Sequence, residues 1–153
     1  MQAVRDTTQV YAEIRPPLPA HAAVLEAERC LECGGAHAVA PCTAACPAGV
    51  DVPGFVGAIS AGRLGEAAAV IFAENLLGGT CARVCPTELL CEGACVLAHE
   101  NRPPIAIGLL QRHATEDALQ RGLPMRLRLP EGPPNPAVPL TGDLHDLVRL
   151  PRA

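Results

Sequence analysis

Eight cysteines carry the chemistry this sequence offers: Cys30, Cys33, Cys42, Cys46, Cys81, Cys85, Cys91 and Cys95. They run as Cys30-x2-Cys33-x8-Cys42-x3-Cys46-Pro47, then Cys81-x3-Cys85-Pro86-x4-Cys91-x3-Cys95. None stands in the first 29 residues or after position 95. An even count suits four disulfides, but these persist in oxidising compartments. The opening MQAVRDTTQVYAEIRPP lacks the charged-then-apolar order of a secretory leader. The expectation is a soluble, cytoplasmic protein whose grouped thiols bind metal.

The spacing selects among thiophilic metals. Thiolates are soft ligands for zinc, Cu(I) and iron–sulfur clusters. A zinc ribbon prefers two Cys-x2-Cys knuckles, and only Cys30 and Cys33 form one. A four-iron cube needs ligands from separated directions. A run of nearby cysteines supplies several corners, and a cysteine followed by proline supplies a corner of a second cluster. Proline removes an N–H and turns the chain away after the ligand. Cys46-Pro47 and Cys85-Pro86 fit that description, so iron–sulfur is the favoured chemistry.

Helices must position these thiols. Three zones are expected: an N-terminal arm over 1–19, a helical cluster domain over 20–122, and a proline-rich extended tail over 123–153. The arm ends in Arg15-Pro16-Pro17-Leu18-Pro19, which cannot be helical. The tail holds seven of the sixteen prolines and reads as disordered alone or laid across a partner. Between them, residues 20–32 read as a helix stopped at Gly34-Gly35. A second helix begins near Pro53 behind Asp51, and a third covers 63–74, closed by Gly78-Gly79. A fourth covers 87–99 with Thr87 as its cap. The longest runs over 104–121, from Pro104 to Gly122. No alternating β-branched run survives the prolines and glycines. The fold class expected is all-α, a small helical bundle wrapped around its metal centre. With no Trp, one Tyr and two Phe, its core must be built mostly from Ala, Leu and Val.

At these residues the sequence resembles a known family. The segments EAERCLEC, APCTAACPAGVDVPGFVGAISAGRLGEAA, IFAENLLGGTCARVCPTELLCEGACVLA and PIAIGLLQRHATE are similar to the N-terminal iron–sulfur domain of dihydropyrimidine dehydrogenase. More distantly they resemble the glutamate synthase small subunit. The resemblance covers about residues 26–117 and implies an alpha-helical ferredoxin-like domain with two [4Fe-4S] clusters. It implies that Cys30, Cys33, Cys42 and Cys95 hold cluster one. It implies that Cys46, Cys85 and Cys91 hold cluster two, with the side-chain amide of Gln111 as fourth ligand and Cys81 outside the set. The residues alone leave the eighth ligand open. Cys81 is the simpler choice because eight thiols serve two clusters fully. Gln111 is in line with Ile107, Ala114 and Ala118, an inward helical face.

Two departures from the family stand out. The spacer from Gly34 to Pro41 is longer than the usual tight one and contains His37, a ligand in principle and more simply a solvated loop histidine. The family also continues into a flavin- and nicotinamide-binding region. This chain has no Gly-x-Gly-x-x-Gly after a strand, so no flavin or nicotinamide site is expected in it. It looks like the cluster module as its own polypeptide.

Charge and the remaining polar residues narrow the function. Net charge is −4, and all twelve basic residues are arginines scattered along the chain. Nucleic-acid binders cluster their cations opposite phosphates, so no nucleic-acid partner is expected. No apolar run reaches membrane-span length. His21, His37, His99, His113 and His145 are dispersed and form no nucleophile partnership, so no catalytic residue is expected. Glu26, Glu28 and Glu32 read as a solvated helix face. Arg29 and Arg83 adjoin expected ligands, as stabilisers of anionic clusters or as ordinary surface residues. The expected role is an electron-transfer subunit of an oxidoreductase complex, not itself an enzyme. It would pass electrons between a flavoprotein subunit that handles NAD(P)H and a catalytic subunit. The alternative is a structural or assembly module whose clusters hold a docking surface without redox turnover.

Overall fold

The computed structural model describes Glu13, residues 15–35 and residues 38–126. The rest of the N-terminal arm, His37, His145 and the tail beyond residue 126 lie outside the described residues. Seven helices follow in order: α1 (Ala20–Ala27), α2 (Pro41–Ala44), α3 (Val52–Ser60), α4 (Leu64–Glu74), α5 (Gly78–Val84), α6 (Val96–His99) and α7 (Ile107–Gln120). No strand occurs among the described residues, so the domain is all-α as expected. No single helix among them is long and apolar enough to cross a membrane.

Local signals fix several boundaries. Asp51 caps α3 by accepting the Gly54 N–H at 3.1 Å, with Pro53 in the first turn. At the end of α7, Gly122 takes a φ of 63°. The Leu123 N–H then donates to Ala118 O at 2.9 Å and that of Gly122 to Leu119 O at 3.2 Å. This pattern satisfies the last carbonyls through a left-handed residue that favours glycine.

Other boundaries differ from expectation. α1 ends at Ala27, not residue 32. The chain tightens there, Arg29 N–H donating to Glu26 O and Cys30 N–H to Ala27 O, and carries Cys30 to the core's edge. Gly78-Gly79 does not close α4, which ends at Glu74 with Asn75 as its C-cap; the pair opens α5. The helix expected over 87–99 is a series of turns followed by α6. The Thr87 carbonyl accepts the N–H groups of Leu90, Glu92 and Gly93, which withholds it from a regular ladder, and the Thr87 side chain caps nothing. α7 starts at Ile107 rather than 104, and the N–H of its N-cap Ala106 donates to the Glu26 carboxylate of α1.

α7 lies against α1, α3, α4 and α5, and α3 also packs on α1, α2 and α4. The core between them holds both phenylalanines, Phe55 and Phe72, with Ile59, Ile71, Leu97 and Leu110. Seven of its eighteen buried members are alanines. An alanine methyl contributes less than about 1 kcal/mol of burial energy against about 1.5–3 for a larger apolar side chain. Cys30, Cys42, Cys46, Cys91 and Cys95 pack directly against this core, so the thiols complete it.

Glu26 is a correction to the solvated-face expectation. Glu28 and Glu32 are exposed, but Glu26 is half-buried and joins distant segments. Its carboxylate accepts from Arg29 Nη1 at 2.7 Å and from the Ala106 N–H at 2.9 Å. Arg29 in turn donates to Pro103 O. Glu26→Ala should destabilise the metal-loaded protein by about 1–3 kcal/mol, because it strands a part-buried N–H and a guanidinium. Guanidinium unfolding would show this as a lower midpoint; an unchanged midpoint would refute the tie.

Candidate metal centre

All eight cysteines are free and half-buried in this structure, and they surround two separate cavities. The first is the tighter, about 20 Å³, and Cys30, Cys33, Cys42 and Cys95 line it together with Ile107. The second is about 110 Å³ and is lined by Cys46, Cys81, Cys85, Cys91 and Gln111. Short local turns divide the thiols between them. α2 carries Cys42, and the turn closed by Cys46 N–H on Thr43 O at 3.1 Å sends Cys46 to the other side. Cys91 and Cys95 are split in the same way, the Cys95 N–H donating to Glu92 O at 3.1 Å. Along α7, Ile107 borders the first cavity and Gly108 the second.

Electrostatics sorts the thiols into the same groups. Burial pushes the Cys30 thiol up, with Cys33 and Cys95 adding to the effect. Burial raises Cys42 to about 11, with Cys30 and Cys95 as its charged neighbours. Around the second cavity, burial raises Cys85, assisted by Cys81 and Cys46. Burial pushes Cys91 to about 12, with Glu92 and Cys46 acting the same way. Backbone N–H groups of Glu32, Thr43 and Glu92 oppose these shifts at Cys30, Cys42 and Cys91. Each cavity is therefore a set of sulfurs that repel one another once ionised and need a cation between them. That donor chemistry fits an iron–sulfur group.

Because metal takes thiolates, loading must displace these protons. Both elevated values lie above neutrality, so raising the pH enlarges the ionised fraction and favours loading. Reconstitution of the metal-free chain with ferrous iron and sulfide should run several-fold faster at about pH 8.5 than at about pH 7. The growth of visible absorbance measures it, and a rate that falls with pH would contradict the assignment.

Gln111 is half-buried on the same face of α7 as the buried Ile107, Ala114 and Ala118. Its Nε2 donates to Gly78 O at 2.7 Å, and its Oε1 accepts no hydrogen bond among the described residues. Gly78 permits this approach: a Cβ there would run into the Ile71 side chain and stand 3.4 Å from Thr115 Cγ2. Cys81 lines the same cavity but has a partner of its own, its sulfur accepting from Asn75 Nδ2 at 3.1 Å. Asn75 and Thr87, which also line this cavity, were not apparent as site residues. Asn75 carries no sequence signal, and the position of Thr87 directly after Cys85-Pro86 was the available clue.

The two arginines beside the cysteines are engaged by protein groups. Arg29 pairs with Glu26, and Arg83 pairs with Glu116 and donates to Gly79 O at 2.8 Å. Next to the second cavity, Arg112 is nearly buried and binds both oxygens of Glu13 at 2.8 and 2.9 Å. The N-terminal arm is thus tied to α7.

Comparison with known proteins agrees with this chemistry. The family model described as dihydropyrimidine dehydrogenase domain II, 4Fe-4S cluster, matches residues 7–123. The NAD-dependent dihydropyrimidine dehydrogenase subunit PreT of Escherichia coli is 42% identical over 111 residues, covering 72% of this chain and 26% of that protein. The PreT homolog of Salmonella typhi is 41% identical over 104 residues, covering 68% of this chain and 24% of the relative. The chain thus spans about a quarter of the length of the curated relatives it matches. With four thiols around one cavity, four around the other, and a match over most of its length, the chain belongs to the dihydropyrimidine dehydrogenase domain II family of 4Fe-4S cluster domains.

Proposed function

We propose that this chain binds two [4Fe-4S] clusters and serves as the electron-transfer part of an oxidoreductase complex. Cys30, Cys33, Cys42 and Cys95 would hold cluster one. Cys46, Cys85, Cys91 and the Gln111 amide would hold cluster two. The observation that carries this reading is the division of eight thiols between two adjacent cavities in one core. When bound, each cluster supplies a site that takes up and releases a single electron. The protein's part is to fix the two sites side by side, exclude water with Val52, Val56 and Leu97, and balance charge with backbone N–H groups.

In this reading the cluster domain occupies residues 20–122, between an arm of residues 1–19 and a proline-rich tail of residues 123–153. The partners in this reading are a flavoprotein subunit that handles NAD(P)H and a catalytic subunit; the relatives' name, subunit of an NAD-dependent dehydrogenase, is in line with a multi-subunit complex. Seven ligand thiolates lower the chain's formal −4, and two oxidised cores, each +2, bring the loaded protein to about −7. Such a surface favours a basic docking face on the partner. Among the described residues none forms an acid–base or nucleophilic set, and this reading leaves catalysis to a partner and places the complex in the cytoplasm. Anaerobic purification should yield about eight iron and eight sulfide per chain, with EPR signals on reduction by dithionite and by NADH in the native complex. Clusters that never change oxidation state during turnover would favour a structural module instead. Colourless, iron-free, well-folded protein would end both readings.

A further inference from the structure

One polar atom beside the second cavity has no partner. Thr87 is only 5% exposed. Its Oγ1 is, among the described residues, the one buried side-chain nitrogen or oxygen without a hydrogen bond. Such an unsatisfied group is destabilising, and native interiors rarely leave one. The backbone around it is fully committed. The Thr87 N–H donates to Cys85 O at 2.9 Å, and the Thr87 carbonyl accepts from Leu90, Glu92 and Gly93 at 3.1, 2.8 and 3.2 Å. The methyl is fixed too, since a Cβ on Gly108 would stand 3.2 Å from Thr87 Cγ2. The other buried threonine, Thr115, shows how the fold treats a hydroxyl elsewhere: its Oγ1 donates to Gln111 O at 2.9 Å. Thr87 has no such carbonyl, and burial shuts its oxygen off from water. It lines the cavity shared by Cys46, Cys85 and Cys91.

We propose that the Thr87 hydroxyl donates its hydrogen bond to a sulfur of the second cluster and so raises that cluster's reduction potential. The inference rests on the two-cluster reading above. Reduction adds negative charge to the cluster, and a donor aimed at sulfur favours the reduced form. Hydrogen bonds to the sulfurs are among the terms that set such potentials. Thr87 is a tuning residue and not a ligand, so its loss should shift a potential without removing iron.

The test is an EPR-monitored redox titration, with dithionite as reductant, of the wild-type full chain and of Thr87→Val, which keeps the shape and removes the hydroxyl. Iron and sulfide are assayed on both. The expected result is full iron content, a lower midpoint for one cluster and an unmoved midpoint for the other. Thr87→Ser should restore the wild-type value. Equal midpoints in Thr87→Val and wild type at full iron content would overturn the inference and leave the two-cluster reading standing. Wild-type protein without iron would instead overturn that reading. If Thr87→Val does not load, Thr87→Ala and Thr87→Ser replace it, since both lack the methyl and differ only in the hydroxyl. A lower midpoint at full iron content in Thr87→Ala alone supports the proposal, and loss of cluster in Thr87→Ala alone overturns it, because a tuning residue does not hold the iron. Matching behaviour of the two overturns it.

Discussion

Stripping iron and sulfide from the anaerobic protein with a chelator should abolish most of its fixed structure. The helical signal in far-UV circular dichroism should fall steeply and the cooperative thermal transition should disappear. Alanines make up seven of the eighteen buried core residues, and five cysteines finish the packing where larger side chains would otherwise stand. A small domain with so little burial has a narrow surplus over chain entropy. Metal binding to a site absent from the unfolded chain then adds directly to folding free energy. The short helices make the same point. α2 and α6 have four residues each, too few to hold alone, and both adjoin cysteines of the first cavity. A metal-free protein that keeps its helical far-UV signal and unfolds sharply would refute this account.

Gln111→Cys should lower the potential of one cluster and leave the other in place. The substitution exchanges a neutral amide for an anionic thiolate, and added negative charge opposes reduction. Cluster potentials range from roughly −700 to +450 mV, and the sign is the decisive quantity here. Gln111→Leu, which offers no donor, should reduce iron content by about four per chain. The backbone contact explains why the amide is well placed. Gly78 O holds Nε2 at 2.7 Å, which orients the group and leaves its oxygen as the donor. A midpoint that rises or stays fixed in Gln111→Cys removes Gln111 from the ligand set. Cys81 would then be the remaining donor on that cavity's wall.

How much of this was legible depended on how local each cause is. The start of α3 is written in Asp51 and Pro53, and the end of α7 in Gly122, because caps act within one turn of chain. The thiols stand out by type and spacing, and the fold gathers Cys30, Cys33, Cys42 and Cys95 around one cavity and Cys46, Cys81, Cys85 and Cys91 around the other. The segment 87–99 was not legible. Its helix formers are overridden by the Thr87 carbonyl, which gathers three N–H groups at once, a result of folding around the cavity. Gly78-Gly79 read as a terminator because glycine usually ends helices, whereas here the close approach of Ile71 and Thr115 demands it at a helix start. Glu26 looked solvated because its partner at Ala106 lies 80 positions away. Asn75 and Thr87 are small polar residues whose roles come from tertiary placement alone.

The Cys42–Cys46 turn and the Cys91–Cys95 turn each reach across to both cavities. Under the two-cluster proposal they would act as two staples through a pair of neighbouring centres, and short lengths of chain would hold the gap between those centres. Control over electron flow would then fall to the periphery, where partners would approach. The same staples would make the pair vulnerable together: oxidative loss of one centre would loosen a strap on the other, and damage should spread in sequence rather than strike each independently.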